Sequence, residues 1–261
     1  MKKLSVLSAL GILLFVCPRP GFTQQRQQSD EELKAMRREV EAIKESQTAI
    51  QKDLQEIKSL LRAKPAAQPA AQPLDIVLNV EGEPFKGDKT AKVVLVEFSD
   101  YQCSFCARYV RETLPQIETD YIKTGKLKYV FRDLPLESIH QYAFKAAEAA
   151  SCAGEQGKFW EMHDRLYANQ TALSPKDLAQ YAQAIGLGVT KFQQCIDSGK
   201  YASSIRRDMA EAGNAGVTST PSFLLGVVEG NSSKVRILKM LKGSKPFAAF
   251  KDAIDNTLSP Q

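Results

Sequence analysis

The sequence predicts an α/β domain that carries an inserted block of helices and is preceded by a coiled-coil helix. Three observations predict it: an apolar, β-branched run at residues 93–98, a long helical pattern at 138–216, and a strict apolar repeat between Leu33 and Leu61. The chain has 261 residues, of which 43% are hydrophobic and 25% are charged. This composition is typical of a globular protein and excludes a collagen-like, wholly disordered or polytopic membrane protein.

The first 23 residues have the layout of a secretory signal. Two lysines precede an apolar run from Leu4 to Val16, which is shorter than the roughly 20 residues that a membrane-spanning helix needs. We therefore expect residues 1–23 to be a cleaved signal peptide and the protein to be periplasmic or secreted, in a compartment where disulfides persist. An uncleaved membrane anchor and a lipoprotein acylated at Cys17 are the less favoured alternatives, the second because Val16 is bulkier than the residue expected before a lipidated cysteine.

The charge of the chain depends on this leader. The formal net charge is +5, and losing Lys2, Lys3 and Arg19 with the leader lowers it to +2. A nearly balanced charge, without a basic run interleaved with aromatic residues, is not typical of a nucleic-acid-binding protein. We therefore expect no nucleic acid among the partners.

Residues 29–62 are predicted to form a coiled-coil oligomerisation helix. Apolar residues recur in steps of three and four, which is an a/d seam with Leu33 at position a. Most g positions are acidic and most e positions basic, so parallel helices would pair opposite charges and antiparallel helices like charges. The pattern favours a parallel homo-oligomer over one amphipathic helix lying on the globular domain, whose apolar stripe would be wider. The seam consists of Leu33, Met36, Val40, Ile43, Gln47, Ile50, Leu54, Ile57 and Leu61, and the facing charges are Glu32 with Arg37, Glu39 with Lys44 and Asp53 with Lys58.

The residues at position d indicate the number of helices. Ile43, Ile50 and Ile57 occupy d, and β-branched residues there crowd a parallel dimer and favour three or four strands. The polar Gln47 at position a would fix the register. We expect a trimer. The following residues, 63–73, are rich in Pro and Ala and predict a semi-extended linker.

Residues 74–261 are long enough for one α/β domain. Strands are predicted at 93–98, 127–133, 222–228 and 235–238, and helices at 107–121 and 245–258, with the helical insertion at about 138–216 between the second and third strands. Cys103 and Cys106 lie at the junction between the first strand and the first helix. A thiolate is stabilised at a helix N-terminus, and the second cysteine would lie one turn deeper.

This Cys-x-x-Cys spacing therefore predicts a redox pair rather than a zinc site or an inert disulfide. A zinc site needs two more ligands at a similar spacing, and Cys152, Cys195, His140 and His163 do not supply it. We expect no metal or other cofactor. The two histidines have no acidic partner at a telling spacing, and we predict that they are structural, as are Phe159, Trp160 and Tyr167.

Three motifs resemble those of the DsbA-like thiol:disulfide oxidoreductases. They are Val-Glu-Phe-Ser-Asp-Tyr-Gln-Cys-Ser-Phe-Cys at 96–106, Ala-Ala-Ser-Cys-Ala-Gly-Glu-Gln-Gly-Lys-Phe-Trp at 149–160 and Gly-Val-Thr-Ser-Thr-Pro-Ser-Phe at 216–223. The resemblance covers roughly residues 75–258 and implies a thioredoxin fold with an inserted helical domain. The coiled-coil helix is similar to that of certain trimeric periplasmic members with isomerase activity.

The resemblance also implies roles for individual residues. Cys103 would be the nucleophile and Cys106 the resolving cysteine. Pro221 matches a cis-proline beside the active site, where the backbone of Thr220 would pair with substrate; an ordinary loop proline is the alternative. Glu97 matches a partly buried acid that would shuttle the proton of Cys106, and an exposed carboxylate at a strand end is its alternative.

Two further expectations concern cysteine chemistry. Ser104 and Phe105 replace the more familiar Pro-His inside the motif, so we expect a less depressed pKa of Cys103 and a less oxidising couple than in strong oxidases. Cys152 and Cys195 are expected to form a structural disulfide within the insertion, a pairing that the resemblance supports. A second redox pair and two buried free thiols are the alternatives.

The function predicted from the sequence is therefore an exported thiol:disulfide oxidoreductase that forms, reduces or isomerises disulfides in protein substrates. A redox partner protein would restore its cysteine pair. The alternative is a non-catalytic oligomeric binding module, or holdase, that uses the groove beside Pro221.

Overall fold

The computed structural model of the chain describes residues 21–62, 74–230 and 232–259, with side chains described from residue 30 to 58 in the first range. The chain divides into two compact units, one ending at Ala70 and the other beginning at Ala71. Most of the predicted signal peptide and the whole linker at 63–73 lie outside the described residues.

The first unit contains one helix, α1, at Gly21–Arg62. It ends where the sequence predicts and begins earlier than residue 29. The seam side chains between residues 30 and 58 are exposed, from 47% for Leu33 to 65% for Ile43. An apolar seam of this length, open to water, is what a coiled-coil partner would cover; the assembly itself stays a prediction.

The second unit is built on a six-stranded sheet in the order β1-β6-β5-β3-β4-β2. The central strand β3 pairs in parallel with β4 and antiparallel with β5. All seven residues of β3 are buried because elements cover both faces of the sheet. The strands are β1 (Val77–Asn79), β2 (Phe85–Lys86), β3 (Val93–Ser99), β4 (Leu127–Asp133), β5 (Ser222–Val228) and β6 (Lys234–Lys242).

Helices cover the sheet and form the insertion between β4 and β5. The predicted helix at 107–121 is a series of shorter elements: α2 (Ser104–Glu112), α3 (Leu114–Ile117) and a π-helical segment (Glu118–Ile122). The break occurs because Pro115 cannot donate a backbone hydrogen bond and its ring would clash with the preceding turn. The remaining helices are α4 (Ala143–Gly154), α5 (Phe159–Ala168), α6 (Pro175–Ala184), α7 (Val189–Ser198), α8 (Ala202–Asn214) and α9 (Phe247–Leu258).

The side chains of the sheet alternate between two cores. Leu95, Tyr129 and Phe223 face α2 and α9, whereas Val94, Val96 and their neighbours pack with α8 on the other face. A third core lies within the insertion and reaches Cys103 and Cys106. The α/β fold with a helical insertion between β4 and β5, predicted from the sequence, is confirmed.

Candidate active site

Cys103 lies directly before α2, at the end of the loop that follows β3. Its backbone is extended, at φ −71° and ψ 117°, and it occupies the N-cap position of α2. Its N–H donates to the carbonyl of Asp100 at 3.1 Å, and its own carbonyl accepts the N–H of Ala107 at 3.1 Å. The sulfur is therefore held at the end of the helix where free N–H groups stabilise negative charge.

The two thiols of the motif are free and differ in environment. Cys103 keeps 6% of its surface exposed and Cys106 keeps none. A hydrogen bond from Cys106 lowers the pKa of Cys103 from 9.0 to about 6, assisted by Thr220 and by backbone N–H groups of α2. Burial raises the pKa of Cys106 well above its ordinary value. Near neutral pH the pair is therefore a thiolate at Cys103 beside a protonated thiol at Cys106.

The pKa of Cys103 can be compared with the value expected from Ser104 and Phe105, the two residues between the cysteines. The corresponding thiol of the strongest oxidants of this chemistry has a pKa of about 3.5, so a value of about 6 is in the direction expected for Ser104 and Phe105. Phe105 is 54% exposed, and its ring lies 5.0 Å from the guanidinium of Arg108. The reduction potential of the pair stays a prediction.

A cis peptide bond joins Thr220 to Pro221, directly before β5. The sulfur of Cys103 lies 3.5 Å from the carbonyl oxygen of Thr220, to which it can donate only when it is protonated. This contact spans 117 positions of the sequence. It brings the residues predicted to bind substrate next to the residue predicted to be the nucleophile.

Glu97 lies on β3, fully buried. It accepts a hydrogen bond from the hydroxyl of Ser99 at 2.6 Å and another from the hydroxyl of Tyr129. Burial raises the pKa of Glu97 from 4.5 to about 7, although both hydrogen bonds lower it. The environment of this carboxyl is the buried one, not that of an exposed strand end, and a pKa near neutral suits proton transfer.

Further residues at the site have no counterpart among the sequence-based candidates. The hydroxyl of Ser99 also contacts that of Tyr167, on α5 of the insertion, at 2.7 Å. Ser99 could have been found from strand alternation, because it lies two positions after Glu97 on the same face. No pattern in the sequence indicates that Tyr129 or Tyr167 contacts the site. Tyr167 was expected to be a core residue; it is a core residue that also bonds the site.

The insertion also holds the active-site loop in place. The side-chain amide of Gln170 donates to the carbonyls of Tyr101, at 2.8 Å, and Cys103, at 2.9 Å. Asp100 accepts hydrogen bonds from Gln102 N–H, at 2.7 Å, and from His140 Nδ1, at 2.8 Å. His163 likewise bonds Asp164 at 2.8 Å. Both histidines thus have an acidic partner that their sequence spacing did not indicate, and their structural role stays a prediction.

Cys152 and Cys195 form a disulfide in the structure. It joins α4 to α7 within the insertion core, with a Cα–Cα distance of 5.9 Å. Both sulfurs are bonded to each other in this disulfide, which is separate from the Cys103–Cys106 pair.

The site consists of two thiols with different pKa values at a strand-to-helix junction, beside a cis-proline. The fold is a sheet whose strands β4 and β5 are separated in sequence by inserted helices. Together they define the class of DsbA-like thiol:disulfide oxidoreductases. A family model described as thioredoxin matches residues 79–243. The chain belongs to this thioredoxin family. The matched range contains both cysteines of the motif, Glu97 and Pro221. The resemblance to DsbA-like proteins inferred from the sequence is thereby confirmed.

Solved structures similar to this chain carry the same architecture. Alpha-DsbA1 of Wolbachia pipientis is 25% identical, with a TM-score of 0.60, and the match covers 69% of this chain and 93% of that chain. Oxidised BdbD of Bacillus subtilis is 21% identical, with a TM-score of 0.61, over 72% of this chain and 98% of that chain. The second likeness shows the fold alone.

The curated relatives are longer proteins. Na(+)/H(+) antiporter NhaA 3 of Salinispora tropica is 35% identical over 164 residues, which are 63% of this chain and 24% of that protein. The chain thus spans about a quarter of the length of the curated relatives it matches. Within the described ranges of this chain, no helix combines the length and hydropathy needed to cross a membrane.

Proposed function

We propose that the protein is an exported thiol:disulfide oxidoreductase that exchanges disulfides with protein substrates through Cys103 and Cys106. The observation that carries the proposal is the unequal pair of thiols. The pKa of Cys103 is about 6 and that of Cys106 is raised by burial. Only the thiolate is the nucleophile in disulfide exchange, so the outer sulfur would react with substrate and the inner one would resolve the intermediate.

In the reducing direction, the Cys103 thiolate attacks one sulfur of a substrate disulfide and the other sulfur leaves as a thiolate. A mixed disulfide between Cys103 and the substrate forms. Cys106 then loses its proton and attacks Cys103, which forms the Cys103–Cys106 disulfide and releases the second substrate thiolate. The oxidising direction is the reverse of these steps. In isomerisation, a released substrate thiolate attacks another substrate disulfide and frees a different substrate thiolate. That thiolate attacks the substrate sulfur bonded to Cys103, which forms a new substrate disulfide and releases Cys103 as a thiolate.

Glu97 is the proposed acceptor for the proton of Cys106. The carboxyl is buried in the layer that also holds the two thiols, and its pKa of about 7 places it between protonated and ionised at neutral pH. Such a group can take the proton when Cys106 attacks and return it when Cys106 leaves. The electrostatic interaction between Glu97 and Cys106 supports this assignment, since it raises the pKa of Cys106.

The substrate is proposed to lie along the backbone beside Thr220 and Pro221. The thiol of Cys103 already contacts the Thr220 carbonyl, so a substrate cysteine bonded to Cys103 would bring its own backbone to this segment. Main-chain pairing of this kind binds many sequences because it does not depend on substrate side chains. It suits an enzyme whose substrates share a disulfide and little else.

The coiled-coil seam supports a parallel homo-oligomer, with a trimer favoured. The exposed apolar positions of α1 and its alternating g and e charges are the supporting observations. Several sites held on one stalk would raise the local concentration of thiols around one misfolded substrate. This arrangement favours isomerisation over simple oxidation.

Cys103→Ser tests the enzymatic proposal. The expected result is loss of insulin reduction and of refolding of scrambled ribonuclease. The double variant Cys152→Ala/Cys195→Ala is the control, because it removes cysteine sulfur away from the motif, and it is expected to keep both activities. If Cys103→Ser still promotes ribonuclease refolding, the enzymatic proposal is wrong and the holdase alternative gains support.

Light scattering of the mature protein tests the oligomer. Ile50→Lys places a charge at a seam position and is expected to yield monomers, whereas Ala49→Lys places the same charge on the neighbouring position outside the seam and is expected to leave the assembly intact. A monomeric unsubstituted protein would contradict the assembly without affecting the proposal for the thiols. Recovery of the processed protein in the extracytoplasmic fraction of a bacterial host would test export.

A further inference from the structure

The buried position of Glu97 raises the question of how its proton reaches water. Glu97 is fully buried and Ser99 is 1% exposed. An acceptor that takes one proton in each catalytic cycle must pass it on before the next cycle. Direct exchange between this carboxyl and solvent is closed, so a chain of hydrogen-bonding groups has to carry the proton.

Two such chains leave the carboxyl, and one of them ends in the core. The hydroxyl of Tyr129 donates to Glu97, but Tyr129 is fully buried on β4 and packs beside the equally buried Tyr109. The pKa of both phenols is raised well above its ordinary value by burial. A proton sent this way would stop in an apolar layer.

The other chain runs through Ser99 to Tyr167. Ser99 donates to Glu97 at 2.6 Å, so its oxygen is left to accept, and the hydroxyl of Tyr167, 2.7 Å away, is the group that donates to it. Every link is shorter than an ordinary 2.8 Å hydroxyl hydrogen bond. Ser99 also lowers the pKa of Cys106, so the chain begins close to the sulfur that gives up the proton.

The Tyr167 end of this chain meets a cavity. Tyr167 is one wall of a cavity of about 500 Å³ between α2 and α5, together with Ala107, Val110 and Arg111. The charged side chains Lys86, Glu118 and Asp164 also line it. The exposed fraction rises along the chain, from 0% at Glu97 to 1% at Ser99 and 6% at Tyr167, as a route toward water requires.

We propose that Ser99 and Tyr167 carry the proton of Cys106 between Glu97 and the cavity bounded by α2 and α5. This inference rests on the proposed function. When Cys106 attacks Cys103, its S–H bond breaks and the proton passes to a carboxylate oxygen of Glu97. The hydrogen bonds in the structure point toward Glu97 and so carry a proton inward. For the outward step both hydroxyls first rotate; Glu97 then gives a proton to Ser99, Ser99 gives its own to Tyr167, and Tyr167 gives its own to water in the cavity. Each hydroxyl ends the step with one proton, and the reverse sequence returns a proton when Cys106 leaves.

The groups that titrate around Glu97 come from β4, α2, α5 and the loop before α2, whereas β5, which pairs with Glu97 at Phe223, contributes none. They are the thiols of Cys103 and Cys106 and the phenols of Tyr101, Tyr109, Tyr129 and Tyr167. The phenols stay protonated in the working range because burial raises the pKa of each. They can therefore relay a proton but not store a charge.

Tyr167→Phe tests the route, and Tyr101→Phe is its matched control. Tyr101 is as deeply buried, its ring lies 4.9 Å from that of Tyr167, and its hydroxyl has no hydrogen-bond partner. The rate to measure is that of a single turnover in which Cys106 resolves a preformed mixed disulfide on Cys103, between pH 6 and 8, in H₂O and D₂O. Ser99→Ala provides a second variant in case Tyr167→Phe fails to fold.

The expected result is a roughly tenfold slower resolving step in Tyr167→Phe and Ser99→Ala, with a changed solvent isotope effect and a new dependence on buffer concentration. In Tyr167→Phe the alkylation pKa of Cys103 and the reduction potential are expected to match those of the unsubstituted protein, so that a slower step reports on proton transfer and not on a disturbed thiol pair. Equal rates and isotope effects in Tyr167→Phe and Tyr101→Phe would overturn the route. Failure of the unsubstituted protein to resolve the mixed disulfide would instead overturn the proposed function.

Discussion

The side-chain amide of Gln170 donates a hydrogen bond to the carbonyl oxygen of Cys103 at 2.9 Å. The same nitrogen bonds the carbonyl of Tyr101 at 2.8 Å. A residue of the helical insertion thus satisfies two carbonyls of the loop that carries the reactive sulfur. The orientation of Cys103 depends on a part of the chain that lies outside the sheet.

Gln170→Ala is expected to loosen this loop. Two hydrogen bonds are lost, at about 1 kcal/mol each, so the free energy of unfolding should fall by about 1–3 kcal/mol and disulfide exchange should slow severalfold. Chemical denaturation and insulin reduction measure the two effects. Gln193→Ala, which removes an exposed amide bonded to Asp197, is the control. Equal behaviour of the two variants would contradict a positioning role for Gln170.

The charge of Cys103 makes the stability of the reduced protein depend on pH. The pKa of Cys103 is lowered from 9.0 to about 6, so its stabilising contribution is fully present above about pH 9 and is lost as the pH falls through about 6. The oxidised protein has no titrating thiol at this position. We therefore expect the stability of the reduced form, relative to the oxidised form, to rise between pH 6 and 9.

Urea denaturation of both forms over this pH range measures the difference, and the rate of Cys103 alkylation reports the pKa directly. An alkylation midpoint near the ordinary thiol value would contradict the thiolate. Cys103→Ser should abolish the pH-dependent difference.

Glu97→Gln is expected to stabilise the oxidised protein at alkaline pH. Burial raises the pKa of Glu97 from 4.5 to about 7, so the native protein loses stability as the pH rises from about 4.5 through 7, where the buried carboxyl must ionise. Glutamine avoids this cost, which is on the order of 3 kcal/mol for such a shift.

The measurement is the free energy of unfolding at pH 5 and pH 8, for this variant and for Glu112→Gln on the exposed side of α2 as control. The variant should gain stability relative to the unsubstituted protein only at the higher pH, and its resolving step should slow. A gain of equal size at both pH values would argue against a raised pKa.

Loss of the Cys152–Cys195 disulfide is expected to lower stability without stopping the chemistry. The bond closes a loop with a sequence separation of 43, which corresponds to about 4 kcal/mol in the chain-entropy description. Cys152→Ala/Cys195→Ala should therefore unfold at lower denaturant concentration and keep its exchange activity per folded molecule. Loss of that activity in the folded variant would indicate that these sulfurs take part in the redox cycle.

Much of the fold could be predicted from the sequence because its central strands are continuous apolar runs. The bounds of β4 and β5 match the prediction, and β3 differs by one residue. The edge strands β1 and β2 were not predicted, since two or three residues are too few to show a period. The prediction of a single helix at 107–121 was wrong, because Pro115 interrupts the helix.

The site could be predicted only where its residues are neighbours in sequence or match a motif. Cys103, Cys106 and Glu97 lie within one strand-to-helix segment, and Thr220 and Pro221 lie in a short motif. Tyr129, Tyr167 and Gln170 reach the site from other elements, 32 to 69 positions from the residues they bond. No periodicity in the sequence records such contacts, because they are created by the pairing of β4 with β3 and by the packing of the insertion around the active-site loop.

The sheet order also determines when the neighbours of each strand become available during synthesis of the chain. β4 follows β3 closely in the sequence, so these two strands can pair early. β5, the other neighbour of β3, is synthesised only after the whole insertion. Until then the reactive sulfurs lack the Thr220 carbonyl, and Cys152 emerges without Cys195. Cys103, Cys106 and Cys152 are therefore all synthesised before Cys195 and before the Thr220 carbonyl that contacts Cys103 in the folded chain.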